Sequence, residues 1–217
     1  GDRMKRREFI TLLGGAATWP VLARAQQGER VRRIGVLVSQ PADDPEGQAR
    51  MEAFRQGLQE VGWIAGRNVQ IDIRWGGGSI DRIRSAATEL VALAPDVILA
   101  SGGQVVAPLL NATRTVPIVF TQTPDPVGAG FVESLARPGG NVTGFTIFEY
   151  GISGKWLELL KQVAPGVTRA AVLRDPSNPA GTGQWGAIQA VAPSFGVELS
   201  PVDVRTVSDI ERAVTRF

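Results

Sequence analysis

The sequence predicts an α/β protein made of two doubly wound parallel-sheet units, the second of them incomplete. Three observations predict it. Short apolar runs of strand length alternate with amphipathic runs of helix length from residue 34 onward. Glycine, proline and small polar residues collect at the junctions between them. After residue 144 only two or three strand-like runs remain, too few to make a covered sheet.

Residues 34–38 are an apolar strand that stops at Ser39-Gln40-Pro41. Asp44-Pro45 reads as a helix start, because an Asp side chain accepts from a first-turn N–H and proline lacks the N–H left unpaired there. Met51, Phe54, Leu58 and Val61 form one helical stripe, which Gly62 ends. Val69, Ile71, Ile73 and Trp75 alternate with Gln70, Asp72 and Arg74, the pattern of a strand near a sheet edge. Gly76-Gly77-Gly78 breaks it as a flexible turn. Ser79 caps a helix whose Ile83, Ala86, Ala87, Leu90 and Val91 share a face. Residues 96–100 are apolar after Asp96, as in a strand buried on both sides. Ser101-Gly102-Gly103-Gln104 then enters a short helix around Val106, Leu109 and Leu110. Residues 117–120 are another buried strand, followed by a loop over 121–126. A short helix is expected near 131–136, ending at Arg137-Pro138-Gly139-Gly140.

Residues 141–146 read as a strand leaving the first unit. Trp156, Leu159, Leu160 and Val163 mark a helix, and 170–173 a buried strand. Asn178-Pro179 starts a helix expected to carry Trp185, Ile188 and Phe195, in conflict with Pro193 within it. Residues 197–204 are a strand. Thr206 with Asp209 makes a capping-box-like start to a last helix bearing Ile210, Ala213, Val214 and Phe217. Trp63, Trp75, Trp156 and Trp185 are expected in the core. The units are residues 30–143 and 144–217, and the second is expected to be a shortened form of a larger one.

Residues 1–25 read as an export signal. Lys5, Arg6 and Arg7 precede a weakly apolar run that closes on Ala23-Arg24-Ala25, a small-x-small cleavage pattern. The paired arginines followed by Phe9 are similar to the twin-arginine signal, although Lys5 precedes the pair where Ser or Thr is usual. Gly14, Gly15 and Pro20 interrupt the run, which is short for a membrane span. The expected location is the periplasm, with the signal removed and no membrane insertion thereafter.

This leader holds five of the chain's 23 Lys+Arg and two of its 21 Asp+Glu, so the remainder carries 18 against 19 and is nearly neutral. No cluster of positive charge follows Arg33, which argues against nucleic acid as a partner. The chain has no Cys and no His. Cysteine nucleophiles, histidine-based triads, the usual zinc ligands, disulfides and a lipid-anchoring cysteine are therefore excluded. No catalytic residue, metal or cofactor is expected. Asp43, Asp44, Asp125 and Asp175 are the acids at strand ends that an exported carboxylate-dependent enzyme would use.

Four stretches resemble the substrate-binding proteins of bacterial ABC transporters, the subgroup with a type I periplasmic-binding fold once filed as a domain of unknown function. They are residues 6–17 of the leader, Ala53-Phe54-Arg55-Gln56-Gly57-Leu58 with Gly62, Pro117-Ile118-Val119-Phe120 with Asp125-Pro126-Val127-Gly128, and Ser134-Leu135-Ala136-Arg137-Pro138-Gly139-Gly140-Asn141-Val142-Thr143-Gly144. The last is the most specific. The resemblance implies a two-lobed protein that closes on a small polar solute, an amino acid or related carboxylate, and presents it to a membrane permease with its ATPase. A periplasmic ligand-sensing module is an equal fit to the same residues.

In open α/β sheets the crevice lies at the carboxyl ends of the strands. The residues there are Ser39, Gln40, Ser101, Gly102, Gly103, Gln104, Thr121, Gln122, Thr123 and Asp125, with Phe145, Tyr150, Asp175 and Asn178 facing them from the second unit. Ser101-Gly102-Gly103 has two readings, an anion site at a helix N-terminus or a tight strand-to-helix turn. Asp125 either pairs with a ligand ammonium or orders its own turn, and Asp175 carries the same ambiguity. Asn178 reads more as a helix cap than as a ligand contact.

Overall fold

The computed structural model describes residues 30–176 and 178–216, so the leader and Phe217 lie outside it. Its elements follow the expected rhythm. They are β1 (Arg32–Val38), α1 (Pro45–Glu60), β2 (Val69–Trp75), α2 (Ile80–Ala92), β3 (Val97–Ser101), α3 (Gly103–Ala112), β4 (Ile118–Thr123) and β5 (Val142–Thr146). A 3₁₀ turn (Tyr150–Ile152) leads to α4 (Ser153–Val163), β6 (Arg169–Arg174), α5 (Pro179–Val191), β7 (Glu198–Asp203) and α6 (Val207–Arg216).

The first five strands form one all-parallel sheet in the order β2-β1-β3-β4-β5. Successive strand residues point to opposite faces, and the two faces find different partners. Val36 and Val38 of β1 pack with Met51 of α1. Leu37, Ile98, Ala100, Ile118 and Phe120 pack with Ile83 and Leu90 of α2 and Val105, Val106 and Leu109 of α3. β2, read from its alternation as an edge strand, is one edge of this sheet.

The caps form as their chemistry requires. Asp44 Oδ2 accepts from Gly47 N at 2.6 Å, and Asn178 Oδ1 accepts from Ala180 N at 3.1 Å. Asp209 Oδ2 accepts from Arg205 N (2.9 Å), Thr206 N (2.8 Å) and Thr206 Oγ1 (2.9 Å), while Asp209 N donates back to Thr206 Oγ1. These bonds, with Arg212 paired to the same carboxylate, pull the Asp209 pKa down to about 2.

β6 and β7 form a separate two-stranded parallel sheet. Leu157 of α4 and Ile188 of α5 pack against it with Ala192 and Val197. Among the described residues no helix is long and apolar enough to cross a membrane.

Several expectations are corrected. No helix forms over 131–136. Pro126 and Pro138 flank this stretch, and it is folded into turns instead: Phe131 N donates to Pro126 O, Glu133 N to Pro138 O and Ser134 N to Arg137 O. β4 runs on through Thr123, because Thr121 pairs with Ser101 and Thr123 with Thr146. Residues 142–146 do not leave the first sheet; they are its fifth strand. Pro193 meets no helix, since α5 ends at Val191 and Ala192–Phe195 turns as a 3₁₀ segment in which proline's missing N–H is tolerated. Phe195 therefore lies in that turn.

The stripe residues Trp156, Leu159, Leu160 and Val163 of α4 are exposed, Val163 to 85%, and Leu157 is the one that packs inward. Val61 falls beyond the last turn of α1 and is 71% exposed. Trp63 and Trp156 are exposed, while Trp75 and Trp185 are half-buried. β6 is partly covered rather than buried on both sides, because a two-stranded sheet gives it one neighbour.

Candidate functional site

The strand order places the site. From β1 the chain goes first to one side, to β2, and then to the other, to β3, so β1 and β3 flank the switch point. Helices connecting opposite ways leave a crevice there at the carboxyl ends of the strands. A cavity of about 550 Å³ occupies this position, within the usual range for a small-molecule site. Ser39, Gln40, Gly102, Gly103, Gln104 and Gln122, all expected from the sequence, line it, together with Asn178 from the start of α5.

Its rim is held by backbone bonds. Ser39 N donates to Ser101 O at 3.1 Å and Gly102 N to Thr121 O at 3.0 Å, tying the ends of β1, β3 and β4 together. The three glycines after β2 are not loose. Gly76, Gly77 and Gly78 donate in turn to Val38 O, Gln40 O and Ser39 O at 2.7, 3.0 and 2.9 Å, which brings Gly78 to the cavity wall.

Gly102 has φ 105°, a conformation close to glycine's own, and a Cβ there would overlap Ser39 Oγ and sit 3.0 Å from Ser39 Cβ. The two strand-end loops therefore touch at a point where only hydrogen fits. α3 starts immediately after, with no side chain capping its N-terminus. Val105 N donates to Gly102 O at 3.3 Å, and the N–H groups ahead of it in the first turn, with the positive end of the dipole, favour an anion at this wall.

Glu46 and Arg50, one turn apart on α1 and paired to each other, are the charged residues lining the cavity. Sequence reading missed both, along with Pro41, Gly78, Pro124 and Ile147. The available signal was the capped start at Asp44, since a helix beginning just after a strand-end loop sets its first two turns beside the crevice.

The remaining expected residues stand elsewhere. Ser101 is buried at the end of β3, where its carbonyl serves the rim. Thr121 is half-buried and its carbonyl accepts from Gly102 N and Thr123 Oγ1. Asp125 acts as a turn clamp: Oδ1 accepts from Gly128 N at 2.7 Å and Oδ2 from Tyr150 N at 3.1 Å. Tyr150 lies over Gly183 of α5, and burial, then the Asp125 charge, raise its hydroxyl pKa. Phe145 is 72% exposed on β5, and Asp175 sits at the end of β6, its carbonyl accepting from Asn178 N. None of these six lines the cavity, nor does Thr123, which is fully buried at the end of β4.

Over residues 34–217 the sequence matches the family described as ABC transporter substrate binding protein. The chain belongs to this family. It is a class of binding proteins, not of enzymes. The tyrosine-binding protein of Clostridioides difficile is 28% identical over 187 residues, covering 86% of this chain and 53% of its own. A conserved domain protein from Vibrio cholerae superposes with a TM-score of 0.75 at 26% identity, covering 86% of this chain and 62% of that one. An ABC domain from Streptococcus pneumoniae, solved in complex with L-Trp, gives 0.73 at 26% identity, covering 85% and 61%. The architecture is that of type I periplasmic binding proteins. It spans about half the length of the curated relative it matches.

Proposed function

We propose that this chain is the exported solute-binding component of an ABC uptake transporter. It captures an amino acid or related carboxylate in the switch-point cleft and presents it, chemically unchanged, to a membrane permease driven by its ATPase. The observation that carries this reading is the cleft itself, a cavity between strand ends in a chain whose family binds transport substrates. The five-stranded sheet through β5 and the unit after it serve as two lobes that close on the solute, divided near the 143–144 boundary that the sequence suggests. The signal at residues 4–25 directs the protein to the periplasm.

The lining suits a zwitterion. The N-terminus of α3 and the Arg50 guanidinium favour a carboxylate, and Glu46 an ammonium. An exposed i,i+4 ion pair is worth only about 0.3–0.5 kcal/mol, so exchanging Glu46–Arg50 for contacts with ligand charges sacrifices little. Relatives named for tyrosine or solved with L-Trp make aromatic amino acids the first solutes to test.

The test is a thermal-shift screen of the protein against the amino acids and their decarboxylated and deaminated analogues. A solute at 100 times its Kd adds about 2.7 kcal/mol to stability, or about 5–11 °C in Tm for a protein of this size. A melting temperature unmoved by the whole panel at millimolar concentration rejects the proposal.

A further inference from the structure

β4 carries a local irregularity that the rest of the sheet does not need. It pairs in register with β3 through Thr121 and with β5 through Phe120–Gly144. The register with β5 then shifts, and pairing resumes at Thr123–Thr146, so β4 spends one residue more than its neighbour. Within that interval Gln122 has φ 55°, in the left-handed region. Glycine and asparagine visit this region readily, but an unbranched side chain such as Gln does so at a cost.

The surroundings impose this conformation. Thr123 is fully buried and its Oγ1 bonds back to Thr121 O at 3.3 Å. Thr146 Oγ1 and Ile147 N both donate to Thr123 O, at 3.1 and 3.4 Å. The bulge is thus clamped on its far side, and Gln122 is the residue turned out of the ladder. It lines the cleft. Its side-chain amide has no hydrogen-bond partner among the described residues, whereas Gln40 in the same wall already accepts from Ser39 Oγ. Bulges beside binding sites commonly re-aim one side chain, and backbone held in a sparsely populated region is retained where the surrounding structure over-determines it.

We infer that Gln122 is a specificity-determining residue, held in a strained backbone so that its amide N–H donates to the carboxylate of the bound solute. This rests on the binding role proposed above and names the group within it that reads the ligand's anionic end. The wall is shared with the α3 N-terminus, whose N–H groups favour the same charge.

Two substitutions separate strain from recognition. Gln122→Met keeps the length and the strained backbone but removes the amide. Gln122→Gly removes the amide and relieves the backbone. Calorimetry and thermal melts with L-tryptophan and L-tyrosine as probes supply both readouts. For Gln122→Met the unliganded Tm is expected to stay near wild type while Kd rises roughly 10–100-fold, the loss of one hydrogen bond to a charged group. For Gln122→Gly the same weakening is expected together with an unliganded Tm raised by about 2–8 °C.

A Gln122→Met protein that binds the probe within about twofold of wild type overturns the inference and leaves the binding role standing. A Gln122→Gly protein with a lowered Tm overturns the strain argument. Wild-type protein that responds to neither probe overturns the inference together with the aromatic amino-acid reading beneath it.

Discussion

Replacing Gly102 with alanine tests the contact on which the cleft is built. At φ 105° and ψ 143° an L-residue is strained, at a cost of roughly 1–3 kcal/mol. The added methyl also overlaps Ser39 Oγ and lies 3.0 Å from Ser39 Cβ, where carbon atoms prefer about 3.5–4.0 Å. Rotating the Ser39 hydroxyl away relieves the first contact but breaks its hydrogen bond to Gln40 Oε1. The second requires the loops after β1 and β3 to separate, and overpacking of this kind costs about 1–3 kcal/mol. Gly102→Ala should therefore destabilise by about 2–6 kcal/mol, a fall in Tm of about 4–24 °C. Circular-dichroism melts and urea titrations of the wild type, Gly102→Ala, Ser39→Gly and the double variant form a cycle that divides the two contributions. In the Ser39→Gly background the penalty should drop by about 1–3 kcal/mol, leaving backbone strain. A Gly102→Ala protein melting within about 2 °C of wild type refutes the strain argument. An equal penalty in both backgrounds refutes the steric one.

Three further outcomes follow from local chemistry. Asp209 titrates at about 2 when folded and near 4 when unfolded, so its support of α6 is complete above about pH 4 and fades as pH falls toward 2. Amide protection across residues 206–216 should follow that window in the wild type and lose this component in Asp209→Asn; identical profiles in the two proteins would sink the assignment. Ser153 is fully buried and its hydroxyl has no partner among the described residues, so Ser153→Ala should leave stability unchanged or raise it by up to about 1 kcal/mol, read by urea titration. Asn178→Ala removes the cap of α5 and should cost about 1 kcal/mol in the same assay, since one first-turn N–H loses its acceptor.

Much of the first sheet was legible because it is written in local rules. Alternation marked β2 as an edge, continuous apolar runs marked β3 and β4 as interior, and Asp44, Ser79, Asn178 and Thr206 with Asp209 gave themselves away by cap chemistry. Six cleft residues were legible for a related reason, since the end of a strand is visible in sequence and parallel sheets open their crevices there. What was illegible depended on neighbours. Residues 131–136 have helical apolar spacing, yet bonds to Pro126 and Pro138 fold them into turns. The α4 stripe reads as buried, but burial needs a covering surface, and there it is Leu157, outside that stripe, that has one.

The sequence by itself determined the alternation of strand and helix, the helix starts, and the absence of thiol, imidazole and the usual zinc ligands from this chain, because periodicity, capping and residue identity act within a few positions. Only the tertiary structure decided that Arg50 and Glu46 reach the cleft, that Asp125 is a clamp rather than a lining residue, and that Gln122 is turned out of its strand. Those outcomes depend on which strand lies beside which and in what register. That information arises from contacts between residues far apart in the chain, and the local pattern carries no more of it than the capped helix start at Asp44.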